Sequence, residues 1–371
     1  MKHDTVNFLK VVLSIHLGAL VVTRLSKIVT DISQSLLALV AGLLAGALLM
    51  VAYGYDPLLA YSVLFRGAFG SITDFAESLS FAVPLMLTAI TFAIGVKAGL
   101  FNIGAEGQAY MGAIGAVIAG AFLTLPSGIH LAVTVIFAML LGALWAVVPA
   151  LLKITRGVHE VISTIMFNWI AYHLAMYLVL YHLSGPGRAE VSLPVKETAR
   201  FTVILSGASL TTVIYVAVAF CIAIYLFLSA TKAGYELKLL GENPDAARYA
   251  GVNAKKVVFS SFIIGGFAAG LAGATQVMGR PPTWALYGTL GNVMGLGFDG
   301  IGVALIGRNN PIGIIIAAIF FGALANGGRY MEPYSGVCSE LVRAINGLII
   351  IALAFPEIIA MIKRYRMRYK I

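Results

Sequence analysis

Charge is what this sequence most lacks. Asp, Glu, Lys and Arg make up 11% of its 371 residues, while 60% are hydrophobic. A soluble domain carries roughly 25% charged residues, so this chain has too few to cover a water-facing surface. It reads as an integral membrane protein. Cysteine is scarce as well: Cys221 and Cys338 stand far apart, form no CxxC or metal-spaced cluster, and read as packing residues. Catalytic signatures are also missing. No GxxxxGK[ST] string occurs, so the chain carries no P-loop, and any ATP that drives it is hydrolysed on another subunit. HExxH and GxSxG are absent, and His3, His16, His130, His159, His173 and His182 are scattered, which argues against a metal site and against an enzyme. Residues Gly295 to Gly300 match GxGxxG literally, but no strand precedes them and no soluble βαβ unit surrounds them, so dinucleotide binding is rejected.

What the chain does have is continuous apolar runs about 20 residues long. That is the length a helix needs to cross a bilayer, and the ten-residue alternation of a membrane strand is not seen. The expected class is all-α and polytopic, with about ten spans near 33–54, 79–97, 104–125, 129–152, 161–183, 209–229, 257–279, 287–306, 311–328 and 342–362. Residues 6–22, interrupted by Lys10 and His16, read as an amphipathic helix lying on the membrane, with an extra span as the alternative. If the N-terminus lies inside, the loops 98–103, 153–160, 230–256 and 307–310 and the tail KRYRMRYK are cytoplasmic. Most of the 25 Lys and Arg then face the cytoplasm, as the positive-inside rule requires, and both termini are cytoplasmic. The net charge of +9 therefore reflects topology rather than nucleic-acid binding. The domain plan is an interfacial segment 1–32, a transmembrane domain 33–362 and a basic tail 363–371. The external loops 55–78 and 184–208, with Asp56, Pro57, Pro186 and Pro194, face a partner or solvent.

Three local patterns carry functional information. In the charged island 234–256, Asn243 can cap a helix, Pro244 suits its first position, and Gly251 suits a left-handed residue that ends it. A capped polar helix between apolar spans is either a solvated connector or a lever that another protein pushes on. The span 287–306 holds six glycines with Asn292 and Asp299, so it reads as a broken helix that protein or water must cover. Gly42/Gly46 and Gly266/Gly270 have the spacing that lets membrane helices approach closely. Polar residues inside spans are costly and face the bundle interior; here they are Asn102, Glu106, Gln108, Asn168, Asn292, Asp299 and Asn326. Glu106, in the first turn of its helix, either holds a helix junction or contacts a substrate. Asp299 has the same two readings and a third, a proton or ion relay.

Four stretches taken together resemble one family. KAGLFNIGAEGQAYMGA (97–113), HEVISTIMFN (159–168), GENPDAARYAG (241–251) and GFDGIGVALIGRNNPIG (297–313) are similar to permease subunits of ABC importers of the nucleoside and simple-sugar branch, related to ribose and branched-chain amino acid permeases. The family's second stretch begins with Asn where this chain has His159. The resemblance implies a type II-like importer permease in a prokaryotic cell membrane. It would share the pathway with a second permease, similar or identical, and work with two cytoplasmic ATPase domains, which hold the ATP and Mg, and an external solute-binding protein. The chain itself would bind no cofactor. It further implies a coupling loop at 230–256, with Glu242, Asn243, Pro244, Asp245, Ala246, Ala247, Arg248 and Gly251 at the ATPase contact, Ala246, Ala247 and Ala250 keeping the docking face small. FNIGAEGQ points to nucleosides, with ribose or a branched-chain amino acid as alternatives. An ion-coupled secondary transporter, which would use Asp299, and a membrane-embedded enzyme are the competing classes.

Overall fold

The computed structural model describes residues 40–352 apart from 186, 339, 346 and 350. The interfacial segment, the basic tail and the end of the last expected span lie outside the described residues. The chain divides into two compact units, one of Met1–Gly54 with Arg343–Ile371 and one of Tyr55–Val342. In the first, helix α1 (Val40–Ala52) packs on the helical residues 347–349 and 351–352, and a Cβ on Gly42 would stand only 2.8 Å from the Cα of Ile349.

The larger unit is mostly helical. Its helices are α2 (Pro57–Phe69), α3 (Ile72–Lys97), α4 (Ala105–Val117), α5 (Ile129–Arg156), α6 (Glu160–Leu178), α7 (Val213–Ala230), α8 (Lys232–Glu242), α9 (Pro244–Tyr249), α10 (Ala254–Met278), α11 (Leu296–Ile306) and α12 (Pro311–Ser335). A π-turn extends α4 over Ile118–Phe122, and another extends α6 over Val179–Leu183. Among the described residues, six helices are long and apolar enough to cross a membrane: α3, α5, the extended α6, α7, α10 and α12. The protein is a multi-pass membrane protein.

Four expectations need correction. The chain is not strictly all-α, because strands β1 (Ser184–Gly185) and β2 (Arg188–Ser192) form a small antiparallel hairpin. The loop expected at 55–78 is instead α2 followed by the first turns of α3. Asp56 accepts from the N–H groups of Leu58 and Leu59, Pro57 opens α2, and Ser71 caps α3. The span expected at 287–306 is helical only from Leu296. Before it the backbone pairs with the β2 strand and the residues just after it: Gly288 N–H donates to Glu190 O (2.7 Å), Ser192 N–H to Leu286 O (2.9 Å) and Val195 N–H to Trp284 O (2.8 Å). Irregular backbone is tolerable at membrane depth when the protein satisfies its polar groups in this way. Cys221 is buried as expected, but Cys338 is exposed and so is not a packing residue.

The core of this unit is a place where backbones touch. Every residue of α4 is buried. On α10, a Cβ on Gly270 would meet Met139 Cα at 3.0 Å and Gly142 Cα at 3.2 Å, and a Cβ on Gly266 would meet Ala143 Cα at 2.5 Å. A Cβ on Gly112 of α4 would collide with the carbonyl of Gly270. The Gly266/Gly270 spacing therefore does bring helices into close contact, joining α4, α5 and α10 with no side-chain layer between them.

Loop contacts gather at the two ends of the helices. At one end, Lys153 pairs with Glu160 (2.7 Å), Glu160 also accepts from Phe101 N–H (3.1 Å), and Gly241 of α8 abuts the Lys97 carbonyl. At the other, the Glu77 carboxylate accepts from Ser209 N–H (2.6 Å) and lies 3.7 Å from Arg280 and 3.8 Å from Arg329. Both guanidiniums sit over the Phe81 ring, at 4.1 and 5.4 Å. Burial draws the Arg280 guanidinium below its ordinary pKa, and the Glu77 carboxylate opposes that shift. The segments 98–103, 153–160 and 230–256 thus share one end, opposite the 55–78 and 184–208 segments.

Candidate functional site

The stretch 101–108 is a knot of tertiary bonds. Phe101 stacks edge-on against Phe92 (4.9 Å), and Asn102 Oδ1 accepts from Gly104 N–H (2.8 Å) to turn the chain into α4. From α6, Asn168 clamps that turn: its Oδ1 accepts from Gly107 N–H and its Nδ2 donates to Ile103 O, each at 2.9 Å. His159 caps α6, its ring nitrogen accepting from Val161 N–H at 3.4 Å. Two buried atoms in this region, Asn102 Nδ2 and Gln108 Oε1, have no protein partner among the described residues.

Glu106 provides the main link. Gly295, at the N-cap of α11, has no side chain to cap the helix and adopts φ +90°, a left-handed conformation that glycine allows. The Glu106 carboxylate takes the cap's place from another helix, accepting from Gly295 N–H and Gly297 N–H, both at 2.6 Å, and from the Tyr110 hydroxyl at 2.7 Å. A carboxylate at a helix N-terminus meets unpaired N–H groups and the positive end of the helix dipole. Glycine is needed at 297, because a Cβ there would collide with the Glu106 backbone. Of the two readings of Glu106, the geometry favours the junction, although the helix it holds is α11 and not its own.

Beside this junction lies a cavity of about 170 Å³ between α4, α6 and α11. Glu106, Asn168, Tyr110, Trp169, Tyr172 and Phe298 line it, together with Ile165, Met294 and Gly295. Its rings belong to a larger aromatic cluster, with Tyr110–Tyr172 and Trp169–Tyr172 centroids both 5.9 Å apart. The seven polar residues expected inside spans therefore separate. Glu106 and Asn168 reach the cavity, while Asn102 and Gln108 are buried behind it in the α4 turn. Asp299 is exposed on α11, one position beyond Phe298. Asn292 organises the segment before α11, donating to Ala285 O at 3.1 Å, and Asn326 ties α12 to α2 and α3 through Gly67 O (3.0 Å) and Asp74 O (2.9 Å). The four rings were not singled out from sequence. Trp169 and Tyr172 are three apart on one helix face, a spacing that could have flagged them.

At the far end of α7 the charged island folds largely as its sequence indicates. Asn243 Oδ1 accepts from the N–H groups of Asp245 and Ala246, each at 3.1 Å, Pro244 opens α9, and Gly251 is left-handed at φ +76°. An additional helix, α8, precedes it. Ala247 is fully buried against the chain itself, so it is not on a docking face, as was expected; Ala246, Arg248 and Tyr249 are exposed.

These features define a class: a multi-pass membrane protein with a short interior helix held at its N-terminus and a capped polar helix beyond the spans. The family described as branched-chain amino acid transport system / permease component matches residues 75–354, and the chain belongs to it. It is 36% identical to the guanosine ABC transporter permease protein NupP of Bacillus subtilis, over 86% of this chain and 92% of that one. It is 33% identical to the nucleoside ABC transporter permease protein NupB of Lactococcus lactis, over 87% and 91%. A glucose ABC transporter permease protein of Haloferax volcanii is 33% identical over 89% and 88%. No solved structure matches. The chain is an ABC transporter permease, a transport subunit rather than an enzyme.

Proposed function

We propose that this permease forms half of the membrane pathway of an ATP-driven importer of nucleosides in a prokaryotic cell membrane, with both termini cytoplasmic. The observation that carries the proposal is α9, an exposed, Asn243-capped helix at the shared end of the 98–103 and 153–160 segments. In this reading α9 seats on an ATPase domain through Asp245, Arg248 and the fully projecting Tyr249, with Glu242, Pro244, Ala246 and Gly251 shaping the contact and Ala247 fixing α9 to its own chain. ATP and Mg sit on the two ATPase domains, and an external solute-binding protein delivers the substrate.

Two relatives named for guanosine and nucleoside transport support the substrate class. The second permease is read as a paralogue rather than a copy. The chain is also 27% identical to the guanosine ABC transporter permease protein NupQ of Bacillus subtilis, the organism of NupP, and 24% identical to the nucleoside ABC transporter permease protein NupC of Lactococcus lactis, the organism of NupB. The glucose permease relative supports a second reading, sugar import by the same machine.

The test is uptake into vesicles holding the chain with its ATPase and second permease, with binding protein outside and ATP inside. Guanosine uptake that needs ATP, survives proton-gradient collapse and is not competed by glucose is the expected result. Arg248→Glu should abolish it while the protein stays folded in the membrane. Full transport by that variant would remove α9 from the ATPase contact, and glucose-only uptake would replace the substrate.

A further inference from the structure

We infer that the aromatic cavity between α4, α6 and α11 is a stacking site for the planar base of a nucleoside crossing the membrane. This inference rests on the nucleoside reading above. Three of the cavity's polar side chains are already committed: Glu106 accepts from Gly295, Gly297 and Tyr110, and Asn168 is bonded to Gly107 and Ile103. What remains for a ligand is mainly ring surface and the apolar side chains of Ile165 and Met294, with the Tyr172 hydroxyl and the Trp169 N–H as the two polar groups of the rings. A sugar or an amino acid would have to leave its hydroxyl or charged groups without partners there, at a cost of about 1–3 kcal/mol each. A base has two apolar faces that can stack on the rings while its polar edge turns out of the cavity with the ribose, and base–aromatic stacking is worth roughly 1–3 kcal/mol whatever the base.

Size and exposure agree with this assignment. Apolar cavities of about 150 Å³ hold one benzene ring, so about 170 Å³ takes one ring system and leaves the ribose outside. Trp169 is 60% exposed and Phe298 52%, so neither ring is spent on packing this chain's own core. Weak, sequence-tolerant binding suits a path, because a solute held tightly would not leave.

The experiment uses the whole complex in vesicles and compares the KM for guanosine in wild type, Trp169→Ala, Trp169→Phe, Phe298→Ala and the control Ile170→Ala, which removes a side chain of the same helix outside the cavity. Loss of one stack should raise KM about tenfold in Trp169→Ala and Phe298→Ala, equivalent to about 1.4 kcal/mol. Trp169→Phe should recover most of that loss, and Ile170→Ala should match wild type. Trp169→Phe also guards against misfolding, since it preserves a ring at similar bulk. KM within twofold of wild type in both alanine variants, from a complex that imports guanosine, overturns the base site alone. A wild-type complex that imports glucose and not guanosine overturns the base site together with the substrate reading.

Discussion

The Glu106 carboxylate is held by three donors at 2.6–2.7 Å, two backbone N–H groups at the start of α11 and the Tyr110 hydroxyl one turn along its own helix. Hydrogen bonds to a charged group contribute about 1.5–3 kcal/mol each, so this one side chain sets where α11 begins. Glu106→Gln keeps the shape but removes the charge, and it turns an amide NH₂ toward a backbone N–H. It should lower the melting temperature of the purified complex by several degrees and reduce uptake at least tenfold. A variant that melts and transports like wild type would show that the carboxylate does not hold α11. The sequence put Glu106 in an apolar span and so marked it as costly and purposeful. It could not name the partner, which lies 189 positions away and is made of backbone N–H groups that any sequence possesses.

At the level of elements, periodicity and end signals reached far but unevenly. The expected spans 129–152 and 311–328 begin where α5 and α12 begin, at Ile129 and Pro311, because a long apolar run fixes where a helix lies. The α9 cap was legible because Asn-Pro stands in a polar stretch. The same kind of signal, Asp56-Pro57, starts α2 and was read as a loop, because the following 13 residues are too few to span. The 279–295 segment was legible only as broken: its backbone partners are in the β2 region, and no local rule pairs the two.

The elements also suggest how force travels. Helix α8 carries α9 and touches the end of α3 through Gly241, where a Cβ would collide with the Lys97 carbonyl and come within 2.8 Å of Gly99 N. From there the chain runs through 101–104 to Glu106 and α11. Gly241→Val should push α8 off this turn. The expected result is ATP hydrolysis that continues in the assembled complex while nucleoside uptake falls at least tenfold. Uptake at wild-type rates would sever α8 from the coupling route.

For the whole molecule, composition alone was decisive about the membrane, and joint motifs were decisive about the family. Neither could count subunits. If the second permease is a paralogue, a tagged copy of this chain should co-purify with the paralogue at equal stoichiometry and should not capture a differently tagged copy of itself. Recovery of mixed-tag pairs would establish a homodimeric pathway instead.

An importer that opens alternately to two sides needs a part that stays still. Side chains packed between helices can change rotamer and let the helices slide, but the contact of α4, α5 and α10 at Gly112, Gly142 and Gly270 has no such layer. Backbone against backbone has nothing to rearrange, so these three helices stay together as one stator. The moving wall must then be sought among elements tethered by a few polar bonds. Helix α11 is not one of these: besides the Glu106 carboxylate at its N-terminus, Gly297 lies against the Glu106 backbone and Gly300 against Ala89 N of α3, so α11 is seated on α4 and α3 as closely as the stator's three helices are on one another.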